Sequence, residues 1–159
     1  MSIIPLFSPH PRGYANPVTF RVSAALAGAG AWDAAPVESS ASGAAALTLS
    51  LTYTRGAAGG AFDFQIETSS YSVVALVPAG ASEWVTASVY DPGAVAGGAD
   101  TQSRVQREYI TFASQGAAAE DFVYGPISLH GTIERIRISG RESGIVATPG
   151  TLSIVGVLL

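Results

Sequence analysis

Residues that commonly perform enzyme chemistry are few and scattered in this sequence. The chain has two histidines, His10 between prolines and His130 in a predicted connection, and it has no cysteine. Neither histidine has a second one at metal-ligand spacing, and no Gly-x-Ser-x-Gly nucleophile elbow is present. The sequence therefore predicts no metal, no cofactor and no catalytic residue, which favours a protein that is not an enzyme.

The acidic residues do not form an evident catalytic pair or calcium loop. Asp63, Glu67 and Glu134 alternate with apolar residues, which is typical of the solvated face of a strand. The loop Asp91–Asp100 has a carboxylate at each end, and oxygen ligands of this kind suit calcium. However, the loop lacks the dense Asp/Asn spacing of calcium-binding loops, so no ion is predicted there.

The strongest structural pattern runs from Leu47 to Thr68 and reads LTLSLTYT, RGAAGGA and FDFQIET. Apolar and polar residues alternate on both sides of the glycines, which predicts two strands joined as a β-hairpin. The loop Arg55–Gly60 joins two strands, whereas a phosphate-binding glycine loop opens a helix. The glycines are therefore interpreted as a turn.

Similar alternation predicts further strands over Val18–Ser23, Tyr71–Val77, Glu83–Tyr90, Val105–Phe112, Phe122–Tyr124, Thr132–Ser139 and Thr151–Leu159. In Thr132–Ser139, Ile136 and Ile138 point inward, while Arg135 and Arg137 point outward. Loops, turns or connections are predicted over Ala24–Ala46, Gln115–Asp121 and Gly125–Gly131. Eight or nine strands and no helix indicate an all-β antiparallel sandwich that is jelly-roll-like, with an immunoglobulin-like sandwich as the alternative.

The first 17 residues are predicted to be an extended arm, followed by one β-sandwich domain over residues 18–159. Prolines deny the arm a helix and ladder hydrogen bonds, yet its tip is apolar: Ile3, Ile4, Leu6 and Phe7. It either covers its own sandwich or reaches a neighbouring subunit. The start has no basic region and no long apolar core, so no signal peptide is expected.

Charge is scarce in the chain and bears on its partners. Charged residues make up 13% of the sequence, the net charge is −4, and all eight basic residues are arginines. Without a basic cluster, direct nucleic-acid binding is not expected, and no run is long enough for a membrane helix. A surface rich in Ala, Gly, Ser and Thr suits packing in an assembly, although a coding sequence rich in G and C would produce the same composition.

The large aromatic residues allow two interpretations each. Trp84, Tyr90 and Tyr71 would form a sugar-stacking platform if they shared an exposed face, but aromatic residues on strands belong more often to the core. Trp32 is expected to plug one end of the sandwich, and an exposed contact is the alternative.

Two segments resemble small β-sandwich structural proteins of tailed bacteriophages. They are LTYTRGAAGGAFDFQIE, in the predicted hairpin, and IERIRISGRESGIVATPGTLSIVGVLL, at the end of the chain. Such proteins decorate the head as cement proteins or form parts of the neck and tail. The resemblance implies a virion structural protein, with the head surface favoured as its location after synthesis in the host cytoplasm.

A decoration protein clamps neighbouring capsid subunits, so the resemblance implies the major capsid protein or other virion proteins as partners. It also implies a homo-oligomer, with a trimer favoured. By elimination, the interface is expected at the apolar or flexible pieces that the sandwich does not need: Ile3, Ile4, Leu6, Phe7, Val95, Val157, Leu158 and Leu159. The alternative function is a carbohydrate-binding β-sandwich or a receptor-binding or tail module.

Overall fold

Alternating apolar and polar residues form most of the strands in this chain. The computed structural model describes residues 17–56, 60–70, 76, 78, 82–90 and 106–159. The strands are β1 (Pro17–Ala25), β2 (Glu38–Ser40), β3 (Ala46–Thr54), β4 (Ala61–Ser70), β5 (Val85–Thr86), β6 (Val89–Tyr90), β7 (Gln106–Arg107), β8 (Ile110–Ala113), β9 (Glu120–Ser128), β10 (Ile133–Glu142) and β11 (Thr151–Leu158).

These strands build two antiparallel sheets that pack face to face. Sheet A has the order β1-β11-β3-β9, and sheet B has the order β2-β10-β4, with β8 and β5 sharing the other edge of β4. The short strands β6 and β7 pair with each other. The chain changes sheet at each step from β1 through β2 and β3 to β4, and again from β8 through β9 and β10 to β11, which is the path of a jelly roll. This confirms the predicted fold class, and the order differs from the ABED and CFG sheets of the immunoglobulin alternative.

The predicted hairpin is wrong in its pairing, although both of its strands exist. Strand β3 pairs with β11 and β9 in sheet A, whereas β4 pairs with β10, β8 and β5 in sheet B. The apolar faces of the two strands therefore meet across the core, where the rings of Tyr53 and Phe62 lie 4.8 Å apart. The glycine-containing connection crosses between the sheets, which a tight hairpin turn could not do.

Two predicted strands are each divided in the structure. The segment Glu83–Tyr90 contains β5 and β6, which belong to different sheets, and Val105–Phe112 contains β7 and β8 on either side of a bend. The predicted strand Tyr71–Val77 lies outside the described residues except for Leu76. At Leu76 the backbone is helical and the side chain is 83% exposed, so the strand prediction is wrong there.

Strand β9 also corrects the sequence prediction, because it begins inside the predicted turn and continues into the predicted connection as far as Ser128. Its pairing with β3 shifts register between Leu47 and Leu49, opposite Gly125 and Pro126, which are joined by a cis peptide bond. Gly125 has a φ of +116°, and a Cβ there would lie 2.7 Å from the Leu47 carbonyl oxygen. Glycine therefore permits a bulge in the strand. Strand β2 likewise lies within the predicted loop 24–46.

The core consists of the two inward faces, and aromatic rings connect them. Phe62 of sheet B meets Phe122 of sheet A at 5.4 Å between ring centroids, and Phe64 meets Tyr124 at 5.2 Å. A Cβ at Gly156 would lie 2.5 Å from the Phe20 ring, so this glycine makes room for an aromatic side chain inside sheet A. Fully buried aliphatic residues fill the rest, among them Leu47, Leu49, Leu51, Ile66, Ile136, Ile138 and Leu152.

One carboxylate is buried at the end of this core. Glu142 is 2% exposed, and the Tyr53 hydroxyl donates to both of its carboxylate oxygens at 2.9 Å. The Gly150 N–H donates to Glu142 Oε1, also at 2.9 Å. Burial raises the pKa of Tyr53 above its usual value, and the hydrogen bond to the Glu142 carboxylate raises it further. Tyr53 and Gly150 thus compensate the desolvation of Glu142.

We expect Tyr53→Phe to lower the free energy of unfolding by about 1–3 kcal/mol at pH 8, because Glu142 loses a donor while remaining buried. The pKa of Tyr53 is higher in the folded chain than in the unfolded chain, so the folded chain holds this proton more tightly. The resulting stabilisation is fully present below the unfolded-state pKa of about 10 and is lost as the pH rises further. The natural chain should therefore lose stability above about pH 10, and Tyr53→Phe should show a weaker loss.

Denaturant unfolding at pH 8 and at higher pH measures both effects. Tyr109→Phe is the control, because Tyr109 is 40% exposed. An equal effect of the two substitutions would contradict the role of the buried hydrogen bond.

Candidate interaction surfaces

The outward face of sheet B carries a row of ion pairs. Arg137 and Glu67 face each other on β10 and β4, with Arg137 Nε at 2.8 Å from Glu67 Oε2 and Nη2 at 3.1 Å from Oε1. Arg141 Nε lies 2.7 Å from Asp63 Oδ2, and the Thr111 hydroxyl donates to Asp63 Oδ1 at 2.7 Å. The side chains of Asp63 and Glu67 are only 3% and 14% exposed. The prediction of a solvated face is therefore wrong for these two carboxylates.

Arg135 extends this row toward the β2 edge. Its Nη1 lies 3.1 Å from Glu38 Oε2, and its Nη2 donates to Glu83. The outward direction predicted for Arg135 and Arg137 is confirmed. Each of the three arginines on β10 is paired with a carboxylate, so this face is not a free cationic patch.

Two tryptophans cover the same row and explain its low exposure. The guanidinium carbons of Arg137 and Arg135 lie 4.3 Å and 5.2 Å from the centre of the Trp84 ring. The Arg141 guanidinium carbon lies 4.3 Å from the Trp32 ring centre. Such cation–π contacts add to the ion pairs. Trp32 thus packs on the outside of sheet B beside Tyr109, and the prediction that it plugs an end of the sandwich is wrong.

Part of the predicted sugar platform lies outside the described residues. These are Tyr71 and the side chain of Tyr90. The third member, Trp84, is half-buried and precedes β5 instead of lying within it. Guanidinium groups occupy a face of its ring, where a sugar would stack.

The outward face of sheet A has a different composition, and we call it the hydroxyl face. Strand registers place Thr19, Val155, Ser50 and Val123 in one row across all four strands. The next row contains Ser153, Thr52 and Asp121, and the row on the other side contains Pro17, Val157 and Thr48. Within these rows Asp121 is the one ionisable residue, and it accepts a hydrogen bond from the Thr52 hydroxyl at 2.6 Å.

The predicted interface residues fall only partly within the described chain. Ile3, Ile4, Leu6, Phe7 and Val95 lie outside it, as does the predicted arm apart from Pro17, which begins β1.

The C-terminal members of the predicted interface occupy three different environments. Val157 lies half-buried on the hydroxyl face, whereas Leu158 packs against the core. The side chain of Leu159 is 58% exposed, while its backbone pairs with Ala46. Strand β11 lies between β1 and β3, so the final segment is a central strand of sheet A.

The other carboxylates include one that orders a turn. Residues 17–56, 60–70, 82–90 and 106–159 contain no cluster of His, Asp and Glu that fits a metal ion. The Glu120 carboxylate binds the Gly116 and Gln115 N–H groups and the Ser114 hydroxyl at 2.7–3.0 Å. Desolvation raises the pKa of Glu120, but these hydrogen bonds outweigh it and hold the pKa below its usual value. Glu120 therefore anchors the turn before β9.

A cavity of about 260 Å³ opens beside the turn that follows β9. Most of its lining is apolar, and His130 lies exposed at its border. The lining residues include Ile66, Val89, Ile127, Leu129 and Ile133.

Comparisons with protein families, with curated proteins and with solved structures found no match to this chain. Within the described residues, no helix has the length and apolar character needed to span a membrane. The class defined by the fold is an antiparallel β-sandwich with jelly-roll topology.

We expect Trp84→Ala to lower the free energy of unfolding by about 1–2 kcal/mol, because it uncovers two arginines and removes their contact with the ring. In a double-mutant cycle, Arg137→Ala should cost about 0.5–1 kcal/mol less in the Trp84→Ala background than in the natural chain.

Denaturant unfolding of the four proteins measures this coupling. Val85→Ala is the control, because Val85 is adjacent and 47% exposed. Strictly additive effects of Trp84→Ala and Arg137→Ala would contradict the assigned contact.

Proposed function

We propose that this chain is a non-enzymatic structural protein of a virion. Its most specific form is a capsid decoration or cement protein that clamps neighbouring capsid subunits at the head surface. The hydroxyl face of sheet A is the surface that lies against the shell. The partners are the major capsid protein or other virion proteins, and copies of the chain associate with one another.

This proposal depends on a difference between the two outward faces in the number of charged residues that they carry. On sheet B, Arg135, Arg137 and Arg141 are each paired with a carboxylate. In the three rows of the hydroxyl face, Asp121 is the only ionisable residue. Covering a charged face requires desolvation of every ion on it, which is costly. Covering Ser, Thr and Val requires little desolvation of charge and little loss of side-chain entropy. Sheet A is therefore the cheaper face to bury in an assembly.

The fold supports the same class of function by analogy. Jelly rolls are common in viral capsid proteins and also in lectins, and a fold alone does not determine function. The carbohydrate-binding alternative has weaker support, because the half-buried Trp84 already stacks on Arg137 and Arg135. A sugar-dependent rise in thermal stability that is lost in Trp84→Ala would favour that alternative.

A pair of matched substitutions tests the proposal. Ser50 and Ser40 are both exposed serines on strands, Ser50 in the middle of the hydroxyl face and Ser40 opposite Arg135 on sheet B. Ser50→Glu would place a charge between Val155 and Val123. We expect it to reduce binding to capsid shells about tenfold or more, because one unpaired buried charge costs more than 1.4 kcal/mol.

The measurement is cosedimentation with shells of the virus that carries this coding sequence, prepared without this protein. Ser40→Glu should bind like the natural chain, and both variants should show the natural circular dichroism spectrum. Failure of the natural chain to bind, or equal binding of all three proteins, would contradict the proposal.

A further inference from the structure

A groove of about 220 Å³ lies on one side of the sandwich, between an edge of sheet A and an edge of sheet B. One wall belongs to the edge strand β1 and is formed by Phe20, Arg21, Val22 and Ala24. The other wall is the segment Asp33–Val37, which leads into the edge strand β2. The groove is therefore an opening between the two sheets.

The charged groups of this groove are already paired with each other. Arg21 and Asp33 are the only charged residues that line it. Arg21 Nε lies 2.9 Å from Asp33 Oδ2, and its Nη2 lies 3.2 Å from Oδ1. The other lining residues are apolar, and two of them are exposed, Val22 by 69% and Val37 by 48%. An apolar segment that covered the groove would bury both valines without breaking an ion pair.

We propose that the N-terminal arm of the same chain covers this groove. Its apolar tip, residues 3–7, lies against Val22 and Val37. The tip contains Ile3, Ile4, Leu6 and Phe7, which lie outside the described residues. The interface expected from the phage resemblance would place these residues on another chain, whereas this proposal places them on their own. The inference goes beyond the proposed function and does not depend on it.

The composition of the arm fits the groove. Of residues 1–16, Arg12 is the only charged one, and three of the first 11 residues are prolines. Because proline cannot donate a backbone hydrogen bond, such a segment binds mainly through its side chains and adds no regular strand. This suits β1, where the Arg21 guanidinium already donates to the carbonyl oxygens of Ala24 at 2.8 Å and Ala25 at 3.1 Å.

The arm is long enough to reach the groove. Nine residues separate Phe7 from Pro17, the first residue of β1, and this linker spans about 33 Å when fully extended. The wall from Phe20 to Ala24 lies about 10–23 Å beyond Pro17 along the strand. The linker must reverse its direction, and Gly13 within it suits a turn. The tip can therefore reach the whole β1 wall.

The attachment of the arm to β1 favours its own groove over that of a second copy. A short flexible linker holds the tip at an effective concentration in the millimolar range, which a second copy in dilute solution does not reach. Covering its own groove also avoids the loss of translational and rotational freedom that association of two chains requires.

The absence of cysteine from the sequence allows a cross-linking test of this contact. Leu6→Cys and Val22→Cys are combined in one full-length chain, which is treated with a short bismaleimide cross-linker. The matched control combines Leu6→Cys with Val123→Cys, because Val123 is 71% exposed on β9, at the other edge of sheet A. Three strand spacings, about 14 Å, separate β9 from β1, so the arm can also reach the control thiol.

We expect the pair at positions 6 and 22 to cross-link within one chain at least about tenfold faster than the control pair, because docking of the arm raises the effective thiol concentration. Equal rates would overturn the proposal. A mixture of the single variants Leu6→Cys and Val22→Cys tests the second-copy alternative. If this mixture forms cross-linked dimers as fast as the double variant cross-links within one chain, the arm binds a second copy and the proposal is wrong.

Accessibility of the groove provides a second test. Leu6→Asp and Phe7→Asp together place two carboxylates in the arm tip, which opposes its burial. We expect maleimide labelling of Val22→Cys to become about fivefold faster in this background, because the uncovered groove becomes the main population. Labelling of Val123→Cys should stay unchanged. An unchanged rate at Val22→Cys, or an equal rise at both positions, would contradict the proposal.

Discussion

The structure depends on the burial of two apolar sheet faces against each other. Phe62 and Phe64 of sheet B reach Phe122 and Tyr124 of sheet A, so most of both inward faces is buried. A half-apolar sheet has no stable existence alone, and the chain builds both sheets together: β1, β3, β9 and β11 lie in sheet A, while β2, β4 and β10 lie in sheet B. Because the two inward faces must be buried together, β3 and β4 lie in different sheets, and Gly156 leaves space for the Phe20 ring on the inward face of sheet A.

The outward faces of the two sheets differ in the charged residues that they carry. Sheet B places arginines opposite carboxylates and covers them with Trp84 and Trp32, so its charges are compensated within one chain. The hydroxyl face needs no such compensation and has short side chains. The outward face of sheet B is therefore compensated within the chain, whereas a neighbour can cover the hydroxyl face with little desolvation of charge.

The sequence predicted the sandwich because alternation shows which residues of a strand face the core. Leu47, Leu49, Leu51 and Tyr53 are all buried as that pattern requires. Alternation does not show which strand is the neighbour, so β3 and β4 were paired wrongly. Gly125 and Pro126 fall in the predicted connection Gly125–Gly131, whereas they form a bulge inside β9.

The candidate surfaces could not be predicted from the sequence as well as the fold could. Arg137 meets Trp84 only in the folded chain, and Asp63 is buried only because Arg141 and Thr111 reach it. The hydroxyl face draws on four strands from distant parts of the sequence, so its lack of charge becomes visible only with the registers. The low overall charge suits an assembly protein, but a coding sequence rich in G and C explains it equally, and it singles out no face.

Amide hydrogen exchange of this chain, free and mixed with capsid shells, tests the proposed clamp most directly. The account predicts that binding slows exchange in β9 and β3 of sheet A and leaves β10 and β2 of sheet B unchanged. Slower exchange confined to sheet B, or around Trp84, would contradict it.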